Sequence, residues 1–478
     1  MVVTRFAPSP TGFMHVGNLR TALYAYLIAR ANGGKFILRI EDTDQERFVD
    51  GAIELIYKTL KDAGIEYDEG PDIGGPSAPY VQSQRKEIYK KYAEMLVEKG
   101  GAYYCFCTKE RLENLKNEEG AFEYDRHCRN LSKEEVEKKL KNGVSYVIRQ
   151  KMPTEGETCF DDLVFGHVSV KNQELQDIIL LKSDGLPTYN FAHVVDDHLM
   201  GVTHVVRGSE YIASSPKHVL LYDAFGWERP KYVHLPLLMG KNEDGSFSKL
   251  SKRHGAVSFQ DLTDEGYLPQ AIINYIAFLG WKSKQTTEEF FSLDELKKLF
   301  KIEEINKSPS VFDYEKLNWF NKAYILNMPF EEFKTLAQKY LPNQLKGEKQ
   351  DKILSLVKPR IEKLADIEEV TQIFIHSRGF DAALFENKKN KTSAEQAKQI
   401  LPVVQECLQS QENFSNDALF TSLSKLAEQL NIKVGALMWI VRIALTFTQA
   451  TPGGATEILE VLGKDESLKR IEAAIKNL

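Results

Sequence analysis

The chain has 478 residues, 42% of them hydrophobic and 27% charged, with a net charge of −6 at pH 7. A mean hydropathy of −0.35 excludes a bundle of membrane helices, and 10% aromatic residues exclude a largely disordered or fibrous polymer. This length holds about three domains, and a nucleic-acid partner would need a local basic face, because the whole-chain charge gives it no attraction.

The predicted elements open with a strand over Val2 to Phe6, then a loop from Pro8 to Gly12, where two prolines and a glycine suit neither a central strand nor a helix interior. A helix follows from Gly17, with Leu19, Ala22, Leu23, Tyr26 and Leu27 on one face and Gly33-Gly34 closing it. Lys35 to Ile40 reads as a second strand ending in the acidic run Glu41 to Asp44, and Ala52 to Ala63 as a second helix. Strand, loop, helix, strand, helix is the order of a parallel nucleotide-binding sheet. A Gly/Pro-rich break at Glu69 to Pro79 ends that unit, and residues 81–185 read as an insertion. The α/β pattern resumes near Thr188 and runs to the loop Lys241 to Gly255; beyond about residue 325, amphipathic helices take over. The most apolar run, Val434 to Ala450, carries Arg442 at its middle and reads as a buried helix of a water-soluble fold. The start MVVTRFAPSP has neither an apolar signal core nor an amphipathic presequence, which points to a cytoplasmic protein with no membrane partner; a monomer is expected.

Two segments carry chemistry together. Ala7 to Asn18 joins a strand end to a helix start, where the helix dipole favours an anion; Gly17 allows close approach and His15 can donate to a phosphate oxygen. Ser248 to Gly255 places Lys249, Lys252 and Arg253 within five residues. Alone, the first is a structural histidine near a loop and the second a solvated basic turn. In this order they form a cradle and a lysine-rich loop that clamp a triphosphate from two sides, the lysines opposing the charge that builds on departing pyrophosphate.

Five cysteines make no disulfide framework, and three of them crowd between Cys105 and Cys128. Cys105, Cys107 and Cys128 are candidate thiolate ligands for one structural zinc ion, against the alternative of small core residues. His127 competes with Tyr124 for the fourth position. Cys159 and Cys407 are isolated packing residues.

The two segments resemble the HIGH and KMSKS signatures of class I aminoacyl-tRNA synthetases. APSPTGFMHVGNLRTAL, LRIEDTD, DGLPTYNFAHVVDDHLMGVTHVVRG and KLSKRHG together resemble the bacterial-type glutamyl-tRNA synthetases, and the likeness continues through Phe312 to Asn321. It implies a Rossmann-type α/β catalytic domain (1–80 and 186–255) with an inserted acceptor-binding domain (81–185). A connecting domain (256–325) and an all-α anticodon-binding region (326–478) would follow. The implied reaction joins L-glutamate to tRNA(Glu) at the expense of ATP with Mg2+. Ser9, His15, Gly17, Asn18, Glu210, Lys249, Ser251 and Lys252 would hold ATP, with His15, Lys249 and Lys252 catalytic. Asn18 stands where the signature often has a second histidine, so it can donate a hydrogen bond but carries no charge. A planar arginine fork suits a substrate carboxylate; the resemblance places Arg5, Ala7, Ser9, Glu41, Tyr189 and Arg207 around glutamate, with His193 where the family pocket varies. It also puts a tyrosine, here Tyr124, among the zinc ligands of some relatives. Arg360 lies where relatives that accept only tRNA(Glu) carry an arginine. The alternatives are an enzyme that also charges tRNA(Gln), a shortened paralogue that glutamylates a tRNA base, a glutaminyl-tRNA synthetase, and an inactive RNA-binding relative. The helical C-terminal region argues against the second and third, the intact lysine loop against the last.

Overall fold

The computed structural model describes residues 1–115, 123–255 and 257–478, and the side chains of Gln45 and Lys252 lie outside the described set. Two units emerge: Met1–Leu262 with Ile272–Tyr314, and Thr263–Ala271 with Glu315–Leu478. The first unit begins with strand β1 (Val3–Phe6), helix α1 (Val16–Ala31), strand β2 (Lys35–Leu38) and helix α2 (Ala52–Asp62). β1 and β2 pair in parallel, with Val3 opposite Lys35 and Phe6 opposite Leu38. α1 is apolar nearly all round and buries Leu19, Leu23, Tyr24, Leu27 and Ile28, which marks it as a central rather than a surface helix.

Next come helix α3 (Lys86–Glu98), strand β3 (Ala102–Cys105), helices α4 (Lys109–Glu113) and α5 (Lys133–Lys141), and strands β4 (Val147–Gln150), β5 (Glu157–Asp162), β6 (Gly166–Lys171) and β7 (Ile179–Leu181). β3, β4 and β7 form an antiparallel sheet against which Tyr89, Ala93 and Leu96 of α3 pack. Helix α6 (Tyr189–Leu199), strand β8 (His204–Gly208), helix α7 (Ser215–Phe225) and strand β9 (Lys231–Leu235) return the chain to the nucleotide-binding pattern. β8 and β9 are parallel, and the sheet runs β6-β5-β9-β8. The Thr203 N–H just before β8 donates to the Val3 carbonyl at 2.9 Å, bringing β8 beside β1. Two residues after β9, strands β10 (Leu238–Lys241) and β11 (Phe247–Lys249) form a hairpin.

The second unit is helical. Its helices, among them Phe330–Ala337, Ala394–Ser410, Asn416–Gln429, Val434–Thr446 and Lys464–Asn477, close on one core that includes Phe333, Leu401, Leu423, Ile440, Val441 and Ile458. The apolar segment Val434–Thr446 lies in that core, and among the described residues no helix is long and apolar enough to cross a membrane.

Candidate active site

Strand ends and helix starts of the first unit meet around a cavity of about 1150 Å³, larger than a single small ligand needs. β1 and the following loop bring Arg5, Ala7 and Ser9 to it, and α1 brings His15, Gly17 and Asn18. Glu41 follows β2, Tyr189 opens α6, Arg207 ends β8, and Glu210 and Lys249 complete the wall. His193 and Ser251 are not among its lining residues, and the Lys252 side chain lies outside the described residues.

His15 caps α1. Its Nδ1 accepts the Gly17 N–H at 3.0 Å, so the neutral ring carries its proton on Nε2, a buried nitrogen with no protein partner. Burial, and then the Lys249 ammonium, hold this histidine below its usual range. Backbone N–H groups at this helix start are already engaged, because the Val16 N–H donates to the Val257 carbonyl and the Gly17 N–H to His15. What this helix start offers an anion is the dipole and the imidazole Nε2–H.

The two arginines differ. The Nε and Nη2 of Arg5 bind Asp197 at 3.0 and 3.3 Å, and its Nη1 donates to the Val206 carbonyl at 3.3 Å. Asp197 also takes Arg39 Nη1 at 2.7 Å, and Arg39 holds Glu41 at 2.9 Å. Asp196 next to it receives Arg85 at 2.8 Å, Gln82 at 2.9 Å and Tyr89 at 2.8 Å. Burial alone would raise the Asp197 carboxyl, but Arg5 and Arg39 overcome it and hold the group well below the usual carboxylate range. Glu41 is pushed up by burial, against the pull of Arg39 and Arg5.

Arg207 has no carboxylate. Its Nε donates to His234 Nε2 at 3.1 Å and its Nη2 to Ser215 Oγ at 2.7 Å, while its buried Nη1 has no partner. Tyr211 and Tyr232 face the guanidinium, with ring centroids at 5.3 and 5.7 Å. A buried cation with an unpaired donor, on a residue that lines a polar cavity, suits an anionic ligand. Tyr189 stands beside it; burial pushes its phenol up, so it remains protonated and able to donate. His193 stacks behind Tyr189, ring centroids 4.8 Å apart, with Nδ1 on the Tyr189 carbonyl at 2.8 Å.

The lysine segment is pinned through His254, whose Nδ1 accepts the Ser251 N–H at 3.1 Å and whose Nε2–H donates to Asn242 Oδ1 at 3.0 Å. Only glycine fits at position 240, where a Cβ would lie 2.5 Å from that ring. Lys249 reaches Glu210 at 3.5 Å in an exposed pair, so its charge remains available to a phosphate.

Residues 1–319 match the model described as "tRNA synthetases class I (E and Q), catalytic domain", and residues 332–475 the model described as "Anticodon binding domain". The chain belongs to this family of class I tRNA synthetases. It is 52% identical to the glutamate–tRNA ligase of Clostridium novyi (strain NT), over 100% of this chain and 98% of that one. With the glutamate–tRNA ligase of Clostridium tetani (strain Massachusetts / E88) the identity is 53%, over 99% and 97% of the two chains. The crystal structure of a glutamate tRNA ligase from Elizabethkingia meningosepticum CCUG26117 in complex with its amino acid superposes with a TM-score of 0.90 at 37% identity, covering 100% of this chain and 99% of that one.

The synthetase has a cysteine cluster in its first unit and a second cavity in its helical unit. The sulfurs of Cys105, Cys107 and Cys128 lie within 4.8 Å of one another, and the Tyr124 hydroxyl is 3.2 Å from Cys105 Sγ and 3.8 Å from Cys107 Sγ. His127 is exposed and outside that group. In the helical unit, a cavity of about 570 Å³ is lined by Arg360, Arg442 and the segment Thr448 to Gly454. The Arg442 Nε is buried without a partner, and burial and Arg360 lower that guanidinium's affinity for its proton.

Sequence reasoning missed the residues that hold the pocket: Arg39, Asp162, Asp196, Asp197, Ser215, His218 and His234. One signal was available. Asp196-Asp197 follows Phe191 to Val195 in an apolar helix, and an acidic pair there must face buried cations.

Proposed function

We infer that the protein is a glutamate–tRNA ligase, and the observation that carries the reading is the buried Arg207 with its open Nη1 beside the α1 start and the β11 lysine. Arg207 takes the glutamate side-chain carboxylate. Arg5, Ala7, Ser9, Glu41 and Tyr189 surround the rest of the amino acid, and Glu41 faces the ammonium. His15, Gly17, Asn18, Glu210 and Lys249 hold ATP, delivered with Mg2+ as substrate, and Ser251 and Lys252 of the lysine segment are assigned to the same nucleotide.

The glutamate α-carboxylate attacks the ATP α-phosphorus in line, the P–O bond to pyrophosphate breaks, and a mixed anhydride remains. The nucleophile is already ionised, so the step needs positioning and charge stabilisation rather than a general base. A ribose hydroxyl of the tRNA 3′-terminal adenosine, the 2′ in class I, then attacks the anhydride carbonyl and releases AMP. The set Cys105, Cys107, Cys128 and Tyr124 suits zinc, thiolate being a good ligand for it; the ion would tie the end of β3 to the segment around Cys128. A reducing cytoplasm suits the five free thiols, and we read the chain as a monomer.

The Arg360 cavity reads the tRNA anticodon, and cationic donors there suit the O2 and N3 acceptors of an unstacked cytosine at its third base. The enzyme then prefers tRNA(Glu) over tRNA(Gln). The test is ATP–pyrophosphate exchange and charging with each tRNA. Glutamyl-tRNA(Glu) formation is expected, with little charging of tRNA(Gln), and Arg360→Gln narrows the preference. No glutamate-dependent exchange overturns the activity; equal charging of both tRNAs overturns the discrimination.

A further inference from the structure

Arg207 and His234 are register partners on the parallel strands β8 and β9. Arg207 Nε–H can donate to His234 Nε2, 3.1 Å away, only if the imidazole carries its proton on Nδ1. Nδ1 lies 2.7 Å from Asp162 Oδ2, at the end of β5, and the same oxygen takes the His234 backbone N–H at 3.0 Å. The other carboxylate oxygen accepts the Val164 and Phe165 N–H groups at 2.9 and 2.7 Å. Asp162 therefore meets four donors and offers none, and both the Asp162 and His234 side chains are fully buried. Burial keeps His234 below its usual range, so the ring between the carboxylate and the guanidinium is neutral.

A second support holds the other edge. Arg207 Nη2 donates to Ser215 Oγ, and Ser215 donates onward to the Tyr211 carbonyl at 2.8 Å. His218 Nδ1 lies 3.3 Å from the same Nη2, and its Nε2–H reaches Asn190 Oδ1 at 2.9 Å. Nε and Nη2 are fixed by these neighbours, and Nη1 is left for a ligand.

We propose that Asp162 is a positioning residue for glutamate recognition: through His234 it locks the tautomer that accepts from Arg207 Nε, and it sets the counter-charge one ring away. Direct contact would fill the fork, as Asp197 does for Arg5. With the imidazole interposed, the guanidinium stays oriented and its remaining donor stays open to the substrate carboxylate. This inference rests on the reading of the cavity as a glutamate pocket.

The test is exchange kinetics with tRNA(Glu) on four full-length enzymes: wild type, Asp162→Asn, His234→Gln and the double variant, with Arg207→Ala as a control. In Asp162→Asn the Val164 and Phe165 N–H groups keep the amide oxygen, so the amide nitrogen faces His234. The ring must then accept at Nδ1 and turn a proton on Nε2 against the Arg207 N–H. KM for glutamate is expected to rise at least about tenfold, with KM for ATP within about twofold. A glutamine at 234 offers an amide oxygen with no tautomer to choose, so Asp162→Asn should add less than about threefold on that background. Unchanged KM for glutamate, an equal rise for ATP, or full additivity overturns the proposal. A second measurement needs no variant: 15N shifts of His234 in the wild-type chain should report the Nδ1–H form, and the Nε2–H form overturns it. If Arg207→Ala leaves KM for glutamate unchanged, the pocket reading itself fails; if that control behaves and Asp162→Asn does not, only the positioning role fails.

Discussion

Arg5 and Arg207 carry the same guanidinium into the same cavity, and their neighbours give them different work. Asp197 and the Val206 carbonyl occupy Arg5, which ties β1 to α6. Arg207 meets neutral imidazoles and a hydroxyl, so its charge is oriented but not cancelled. His234 and His218 suit that task because their lone pairs accept while burial keeps them uncharged, and the neighbouring His193 is lowered to about 3 by burial and then by Arg207. Charge on the phosphate side has the opposite need, since it must grow in influence as pyrophosphate departs. Lys252→Ala is accordingly expected to leave the fold and tRNA binding intact while cutting glutamyl-tRNA formation by at least about a hundredfold, measured by steady-state charging. Near-normal turnover would remove Lys252 from the chemistry.

At the scale of elements, the first four were legible because each has a local cause. Pro8 and Pro10 forbid a continuing strand, α1 is named by its apolar spacing, and KFILRI reads as a strand without help. The support beneath the pocket was illegible because it is assembled across the chain: Asp162, Arg207 and His234 sit in three separate strands, and no local spacing links them. His234 in Lys231–Leu235 and Arg39 after β2 look like ordinary strand residues until their partners arrive. The cysteine cluster lies between these cases. C-x-C is visible at the end of β3, whereas the proximity of Tyr124 and Cys128 depends on how the following segment returns. If that cluster holds zinc as proposed, purified protein should contain about one zinc per chain by elemental analysis. Cys105→Ser should lose the metal and lower the melting temperature, and a metal-free wild type of full activity would exclude the role.

The whole molecule should feel acid through the same buried groups. An unfolded histidine takes up its proton near 6.5, whereas His193 in the folded protein resists protonation down to about 3. Below 6.5 the unfolded state thus binds more protons, and stability falls as pH drops, by at most about 1.4 kcal/mol per pH unit for such a group. His15, His218 and His234 are shifted in the same direction, while the raised Glu41 works the other way. Asp197, depressed by its arginines, loses its contribution only below about pH 4. The melting temperature of the full chain is expected to be flat above about pH 7 and to fall from pH 6 to 5; a constant or rising value there contradicts the account. The ion-pair network around Asp197 also bears on how the enzyme is made. Arg5 leaves the ribosome 192 residues before Asp197, and Arg39 leaves 158 residues before it. During that interval β1, α1 and β2 can pair locally, but two guanidiniums destined for the interior lack the carboxylate that admits them. The buried network around them cannot close until α6 has been synthesised. The synthesis of α6 thus sets the earliest moment at which both arginines can be buried together with the carboxylate they share.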